Sequence, residues 1–209
     1  LITRPLAQTA NLKMLLEASG IEYAFFPTFE VKKIRSEVLK QHYDVIIFIS
    51  VNAVSFAEDY FNKIFTGVHK VFAVGPITAK RLIDKDIKVD CFPKFNASSM
   101  ELLAMQECSE LIDKKILIVR GRGGSETLKD NLGKFNQVDY LEVYERVPCE
   151  FSSLHAESIK VFLDSTNGVL MAGSNESLYN IVRLLNLDSS DTFNKFKTKK
   201  LIVFSQKIK

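Results

Sequence analysis

Residues 116–128 read ILIVRGRGGSETL, and residues 1–12 read LITRPLAQTANL. Each stretch opens on a short apolar run, passes an arginine, turns through small or turn-forming residues and continues with apolar positions at helical spacing. That is a strand-to-helix corner, and the chain builds it twice. Sliding residues 1–31 against 117–147 places Arg4 on Arg120, Leu12 on Leu128, Lys13 on Lys129, Leu16 on Leu132 and Val31 on Val147. Two further blocks recur. DVIIFISVNAVSF (44–56) resembles GVLMAGSNESLYN (168–180), with Ser50 on Ser174, and KVFAV (70–74) resembles KLIVF (200–204). One copy of the corner begins the chain while its companion blocks arrive at the end. The pattern therefore predicts two similar α/β domains with parallel sheets, the first split around the second. The discontinuous domain takes residues 1–29 and 148–209, and the inserted one takes 33–143. Two adjacent linkers, 29–33 and 143–148, join them as a hinge, and a ligand is expected in the cleft between the lobes.

The finer pattern alternates short apolar strands with amphipathic helices, as α/β proteins do. Strands are predicted at Leu1–Thr3, Glu22–Phe26, Val45–Ile49, Val71–Val74, Lys88–Cys91, Ile116–Val119, Gln137–Val143, Gly168–Ala172 and Leu201–Phe204. Helices are predicted over Thr9–Ser19, Val54–Ile64, Ser99–Ser109 and Glu176–Leu187. Ser98 with Glu101 reads as a capping box opening the third of these.

Composition narrows the class. The chain has 209 residues, 46% of them hydrophobic and 25% charged, the balance of a soluble globular protein. The longest apolar run, Val45–Ile49, is far short of a membrane span. No signal peptide is visible, although the sequence lacks a starting Met. Cys91, Cys108 and Cys149 show no CxxC spacing, which points to a reducing, cytoplasmic setting and away from zinc. His42, His69 and His155 have no partners at metal-ligand or triad spacing and read as surface or capping residues. A net charge of +3 suits an anionic small ligand and is too weak to indicate nucleic acid. No cofactor and no metal are expected.

Taken together, ITRP (2–5), DVIIFISVNAV (44–54), AVGPITAKRL (73–82), KKILIVRGRGG (114–124) and VYER (143–146) resemble the uroporphyrinogen-III synthase family in order and spacing. The resemblance covers nearly the whole chain. It departs at the C-terminus, where the family's closing helix–strand–helix should follow and only SQKIK stands opposite the AVGPITA loop. The resemblance implies two flavodoxin-like domains and a monomeric, cofactor-independent cyclising lyase of haem biosynthesis. Its substrate would be the linear tetrapyrrole hydroxymethylbilane, received by transient handover from the preceding enzyme of the pathway. The reaction loses the terminal hydroxyl, passes through a spiro intermediate and closes the ring with the last pyrrole inverted. The competing reading is a two-lobed binding or sensor protein for an anionic small molecule.

A substrate with eight carboxylates needs many anion donors, and helix N-termini after parallel strands supply them. Candidate corners are Arg4–Thr9, Ser50–Val54, Gly75–Ala79, Gly121–Thr127 and Ser174–Ser177, all at the C-terminal ends of predicted strands. GRGGSE (121–126) lacks both GxGxxG spacing and a Walker lysine; it is a turn with some anion contact, a plain turn, or a dinucleotide site. Gly75 belongs to the corner that carries Thr78, and Gly121 opens the glycine-rich one. Thr78 is either a hydroxyl donor to a substrate acid, matching the family's threonine, or a cap. Ser50 and Ser174 carry the same two readings. Arg4 and Arg120 are ligands for carboxylates or clamps on the other lobe's backbone. Tyr144 matches the family's tyrosine in the VY motif and is expected to assist departure of the hydroxyl as water, its plainer role being to pack against the hinge.

Overall fold

The computed structural model describes residues 1–37, 42–185 and 190–203. The strands are β1 (Phe29–Lys33), β2 (Val45–Phe48), β3 (Lys70–Ala73), β4 (Lys115–Gly121), β5 (Gln137–Pro148), β6 (Val169–Ala172) and β7 (Lys200–Val203). The helices are α1 (Ala10–Ala18), α2 (Val51–Phe56), α3 (Phe61–Ile64), α4 (Pro76–Ile83), α5 (Ser99–Ala104), α6 (Gln106–Ser109), α7 (Thr127–Leu132), α8 (Ser153–Asp164), α9 (Asn175–Leu185) and α10 (Ser190–Lys197). Five strands form one sheet in the order β1-β5-β4-β2-β3, and β6 pairs with β7. The β2–β3, β2–β4, β4–β5 and β6–β7 pairs are all parallel. The chain divides into two compact units, Leu1–Val31 with Arg146–Lys209, and Lys32–Glu145.

Within the second unit, β2 is buried along its whole length because both faces of the sheet are covered. Val45, Ile47, Ile116, Ile118 and Phe72 share a core with Leu102, Cys108, Leu128 and Leu132 of α5, α6 and α7. On the alternate positions, Phe48 stacks on Phe65 and takes the edge of Phe61 from α3. Cys91 and Cys108 are packing residues of this core, and burial pushes their thiols up to about 12 and about 11. In the first unit, Phe26, Phe162, Leu170, Ile181 and Leu184 make a smaller core. His155 is buried there as part of a capping box opening α8, its Nδ1 accepting the Ser152 N–H while Nε2 lies 2.9 Å from the Pro27 carbonyl oxygen.

The strand pairings of the two units coincide residue for residue where the repeated blocks align. Val45, Ile46, Ile47 and Phe48 face Lys70, Val71, Phe72 and Ala73, while Val169, Leu170, Met171 and Ala172 face Lys200, Leu201, Ile202 and Val203. Ile47 faces Ile118, and its counterpart Met171 bridges Ile2.

The structure corrects several local expectations. Residues 29–33 and 143–148, expected as linkers, lie in strands, and the chain divides into its two units within both segments. The FEVKK alternation half-buries Phe29 and Val31 and exposes the charges between them, and the chain passes from one unit to the other along these strands. The helix expected over Val54–Ile64 breaks into α2, a 3-10 turn at Glu58–Tyr60 and α3. At that break Asp59 pairs with Lys33, and the Tyr60 hydroxyl accepts the Ser36 N–H. Ser99–Ser109 is likewise two helices, because Met105 is extended (ψ 142°). Leu102 and Cys108 must share one core although six helical residues, at about 100° each, would turn them to different faces. The Ser98 hydroxyl does cap α5 by accepting the Glu101 N–H at 3.1 Å. Lys88–Cys91 shrinks to a bridge between Phe72 and Cys91, since the Asp90 carboxylate takes the Val71 N–H that a ladder would use. Leu1–Thr3 and Glu22–Phe26 also reduce to bridges, at Ile2 and Phe25. Phe204 and SQKIK lie outside the described residues.

Candidate functional site

Tyr144 stands where β5 is irregular. Arg120 pairs with Glu142 and Gly121 with Tyr144, so Val143 is an extra residue opposite a single step of β4. Such a bulge re-aims the following side chain. Its effect is that Val143 and Tyr144, adjacent in sequence, are both buried. The Tyr144 carbonyl accepts the Arg122 N–H at 2.7 Å, and the Val143 carbonyl accepts the Ile34 N–H. The ring lies against Phe56 at 5.9 Å between centroids. On its other contact, Gly121 is required by space: a methyl group there would sit 2.4 Å from the ring. The side chain is 6% exposed, and its hydroxyl lies 3.1 Å from Ser50 Oγ.

Ser50 follows β2 in extended conformation and caps α2, its Oγ accepting the Ala53 N–H at 3.0 Å. The cap uses one of the two lone pairs of Oγ, so either hydroxyl can donate in the contact between Ser50 and Tyr144. Ser50 thus fulfils the capping expectation and touches Tyr144 as well.

Beside β2, β3 leads into α4. Gly75 is its N-cap and Pro76 its first residue; a residue without a side chain offers no cap bond, and the first helical bond runs from the Ala79 N–H to the Gly75 carbonyl. The preceding N–H groups, Ile77 and Thr78, therefore point out of the first turn. Thr78 is buried in that turn. Gly75 is also needed for close approach, because a methyl there would lie 2.3 Å from the Ala97 methyl. The Arg81 Nε donates to Ser55 Oγ at 3.2 Å, tying α4 to α2.

Arg120 is 3% exposed. Its Nε donates to the Gly121 carbonyl at 3.1 Å, one terminal nitrogen donates to the Gly123 carbonyl, and the other donates to Glu126 at 2.9 Å. Its guanidinium lies 4.3 Å from the Tyr140 ring centre. Tyr140 in turn donates to the second Glu126 oxygen at 2.6 Å. The Tyr140 bond, with Arg120, holds the Glu126 carboxyl below the usual range; burial and the same carboxylate push the Tyr140 phenol up to about 12. Gly123 and Gly124, at φ of +72° and +97°, supply the left-handed steps of the turn.

The second unit therefore brings Tyr144, Ser50, Gly121 and Arg120 into one connected array, with Gly75 and Thr78 on the neighbouring corner. In the first unit, exposed Arg4 follows Ile2 and Thr3, and Ser174 accepts the Ser177 N–H at 3.1 Å in front of α9. The Ser174 cap repeats the bond of Ser50 to Ala53. Phe56, Ala97, Glu126 and Tyr140 escape sequence reasoning. Glu126 alone carried a signal, an acid inside a glycine-rich turn opposite a basic side chain. An apolar cavity of about 840 Å³ in the first unit, lined by Leu16, Tyr23, Phe162, Met171 and Ile202 among others, holds none of the expected residues. Among the described residues no helix is long and apolar enough to cross a membrane, and no group of three or more His, Cys, Asp or Glu could hold a metal ion.

Residues 10–207 match the model of the family described as uroporphyrinogen-III synthase HemD. The chain belongs to the uroporphyrinogen-III synthase family. Its members are cyclising lyases of porphyrin biosynthesis. The uroporphyrinogen-III synthase of Proteus mirabilis is 25% identical over 164 residues, 73% of this chain and 82% of that protein. That of Chlorobaculum parvum is 28% identical over 159 residues, 71% of this chain but 63% of the relative's length. Among solved structures, the synthetase of Helicobacter pylori superposes with a TM-score of 0.60 at 15% identity, covering 87% of this chain and 77% of that one. A mutant synthase of Thermus thermophilus gives 0.59 at 15% identity over 97% and 82%. These structures share the mixed α/β architecture with its parallel-dominated sheet.

Proposed function

We propose that this chain converts hydroxymethylbilane to the macrocycle with its terminal ring inverted, and that Tyr144 helps the terminal hydroxyl leave. The family supports the reaction; the contact between the Tyr144 hydroxyl and Ser50 Oγ carries the residue assignment. With the Ala53 N–H donating to Ser50 Oγ, the serine proton can turn to the phenol oxygen, and in that arrangement the phenol proton is left for the substrate hydroxyl. The hydroxyl departs as water, leaving an azafulvene cation on the first ring. The substituted carbon of the last ring attacks it to form the spiro intermediate, which fragments and recloses with that ring inverted, a proton leaving at the end. The enzyme's task is to favour this closure over the direct one by fixing the chain's conformation and charges.

The first-turn N–H groups of α4, with Thr78, receive one substrate carboxylate in this reading. Arg4 and Ser174 are the corresponding groups of the first unit. We further infer that the two units are copies of one flavodoxin-like α/β ancestor; the coincident strand registers and the repeated serine caps support it.

The test supplies freshly made hydroxymethylbilane and resolves the two cyclised isomers by chromatography. Inverted product proportional to enzyme is expected, and only the uninverted isomer at every enzyme level would refute the reaction. Tyr144→Phe should slow turnover by about 10- to 1000-fold, within or below the range of general-acid assistance, with little change in KM. Undiminished turnover in the folded variant would remove Tyr144 from the chemistry.

A further inference from the structure

We propose that Arg120 is a positioning residue for Tyr144 rather than a ligand for substrate acids. The inference deepens the proposed reaction and rests on the role given there to Tyr144. A guanidinium meant for a ligand keeps some donors free and accessible; that of Arg120 is almost wholly enclosed and spends its fork on its own turn. It grips three points: the Gly121 carbonyl, the Gly123 carbonyl and Glu126. Two of those points bracket the residues that set Tyr144. Gly121 is the floor under the phenol ring, close enough that no methyl group fits between them. Arg122, between the gripped glycines, donates its N–H to the Tyr144 carbonyl at 2.7 Å. The ring and the backbone of Tyr144 are thus both held by a turn whose shape Arg120 fixes.

The grip is itself braced. Tyr140 lies two pairing steps before the bulge, opposite Ile118 on β4, and its ring faces the guanidinium while its hydroxyl holds the far oxygen of Glu126. Lys129 of α7 adds a second cation over the same ring, 4.5 Å from its centre. Arg120, Glu126 and Tyr140 form a closed triangle, so loosening any corner frees the turn and, through Gly121, the phenol. The bulge makes this necessary. A side chain re-aimed by an extra residue has lost part of the strand ladder that would otherwise fix it.

The experiment uses the full chain with a fluorotyrosine installed at position 144 and reads its fluorine resonance alongside steady-state kinetics. Arg120→Gln, Tyr140→Phe and Glu126→Gln are compared, with Gly121→Ala as the variant that moves the ring without touching the triangle. Each should shift and broaden the resonance. Arg120→Gln should lower kcat by about 10- to 100-fold, the cost of a misplaced group, while KM stays nearly constant. Tyr140→Phe should act in the same direction and less strongly. A raised KM at unchanged kcat in Arg120→Gln would make Arg120 a substrate ligand and overturn the proposal, as would an unmoved resonance in all three triangle variants. If Arg120→Gln does not fold, Tyr140→Phe and Glu126→Gln decide by the same readouts. The underlying reading fails separately: Tyr144→Phe with full turnover, while the triangle variants still move the ring, would leave the positioning intact and deny it a catalytic purpose.

Discussion

Ser50 serves two partners with one oxygen. It accepts the Ala53 N–H that opens α2 and meets the hydroxyl of Tyr144. Ser50→Ala should therefore cost stability and rate together. Loss of the cap removes about 1 kcal/mol, visible as a lower midpoint in urea unfolding. Loss of the serine leaves the phenol proton without a preferred direction, so kcat should fall while KM is preserved. A variant that loses stability and keeps its full kcat would confine Ser50 to capping. The same residue scale explains why Tyr144 could be picked out by motif while its setting could not. Its environment depends on one unpaired residue, Val143, and on the absence of a side chain at Gly121, a position distant in sequence.

At the scale of elements, the β4–α7 corner is held by charges whose protonation is predictable. The Tyr140 hydrogen bond, with Arg120, holds Glu126 below the usual carboxylate range. A depressed acid contributes above its ordinary range and loses that contribution as the pH falls through its folded value. Tyr140 moves the opposite way, pushed up to about 12 by burial and by Glu126. Its contribution is complete below the ordinary phenol value of about 10 and is lost as the pH rises towards the folded one. The Gly123 and Gly124 amide resonances should accordingly be flat through neutral pH and move only below the carboxylate range and above the ordinary phenol value. A transition between those limits would place a different titrating group in control of the turn. Exposure of Glu126 keeps its part of the effect small and salt-sensitive.

On the scale of the molecule, one unit is continuous in sequence and the other is not. Lys32–Glu145 contains the whole of the core that joins β2, β3 and β4 to α5, α6 and α7. A fragment of those residues should fold alone and unfold in one cooperative thermal transition by calorimetry. The Leu1–Val31 segment alone should not, because its bridging residue Ile2 pairs with Met171 from the far end of the chain. A fragment 32–145 that lacks a cooperative transition would show that the units are interdependent.

The sequence by itself determined the α/β class, the repeated corner and the positions of most strands. Buried parallel strands such as VIIF must be continuously apolar, and the helices between them keep an amphipathic period, so both leave a periodic trace. It also marked Tyr144, Ser50, Gly75, Thr78, Gly121 and Arg120 by type and order, and the array that joins four of them lies within one unit. Only the tertiary structure decided what each touches. It made strands of the segments that join the units, split helices at Met105 and Ala57 so that distant partners could be met, and closed Arg120 onto its own turn. Those outcomes are set by contacts between residues far apart in the chain, through burial and hydrogen-bond satisfaction, and no local pattern records them.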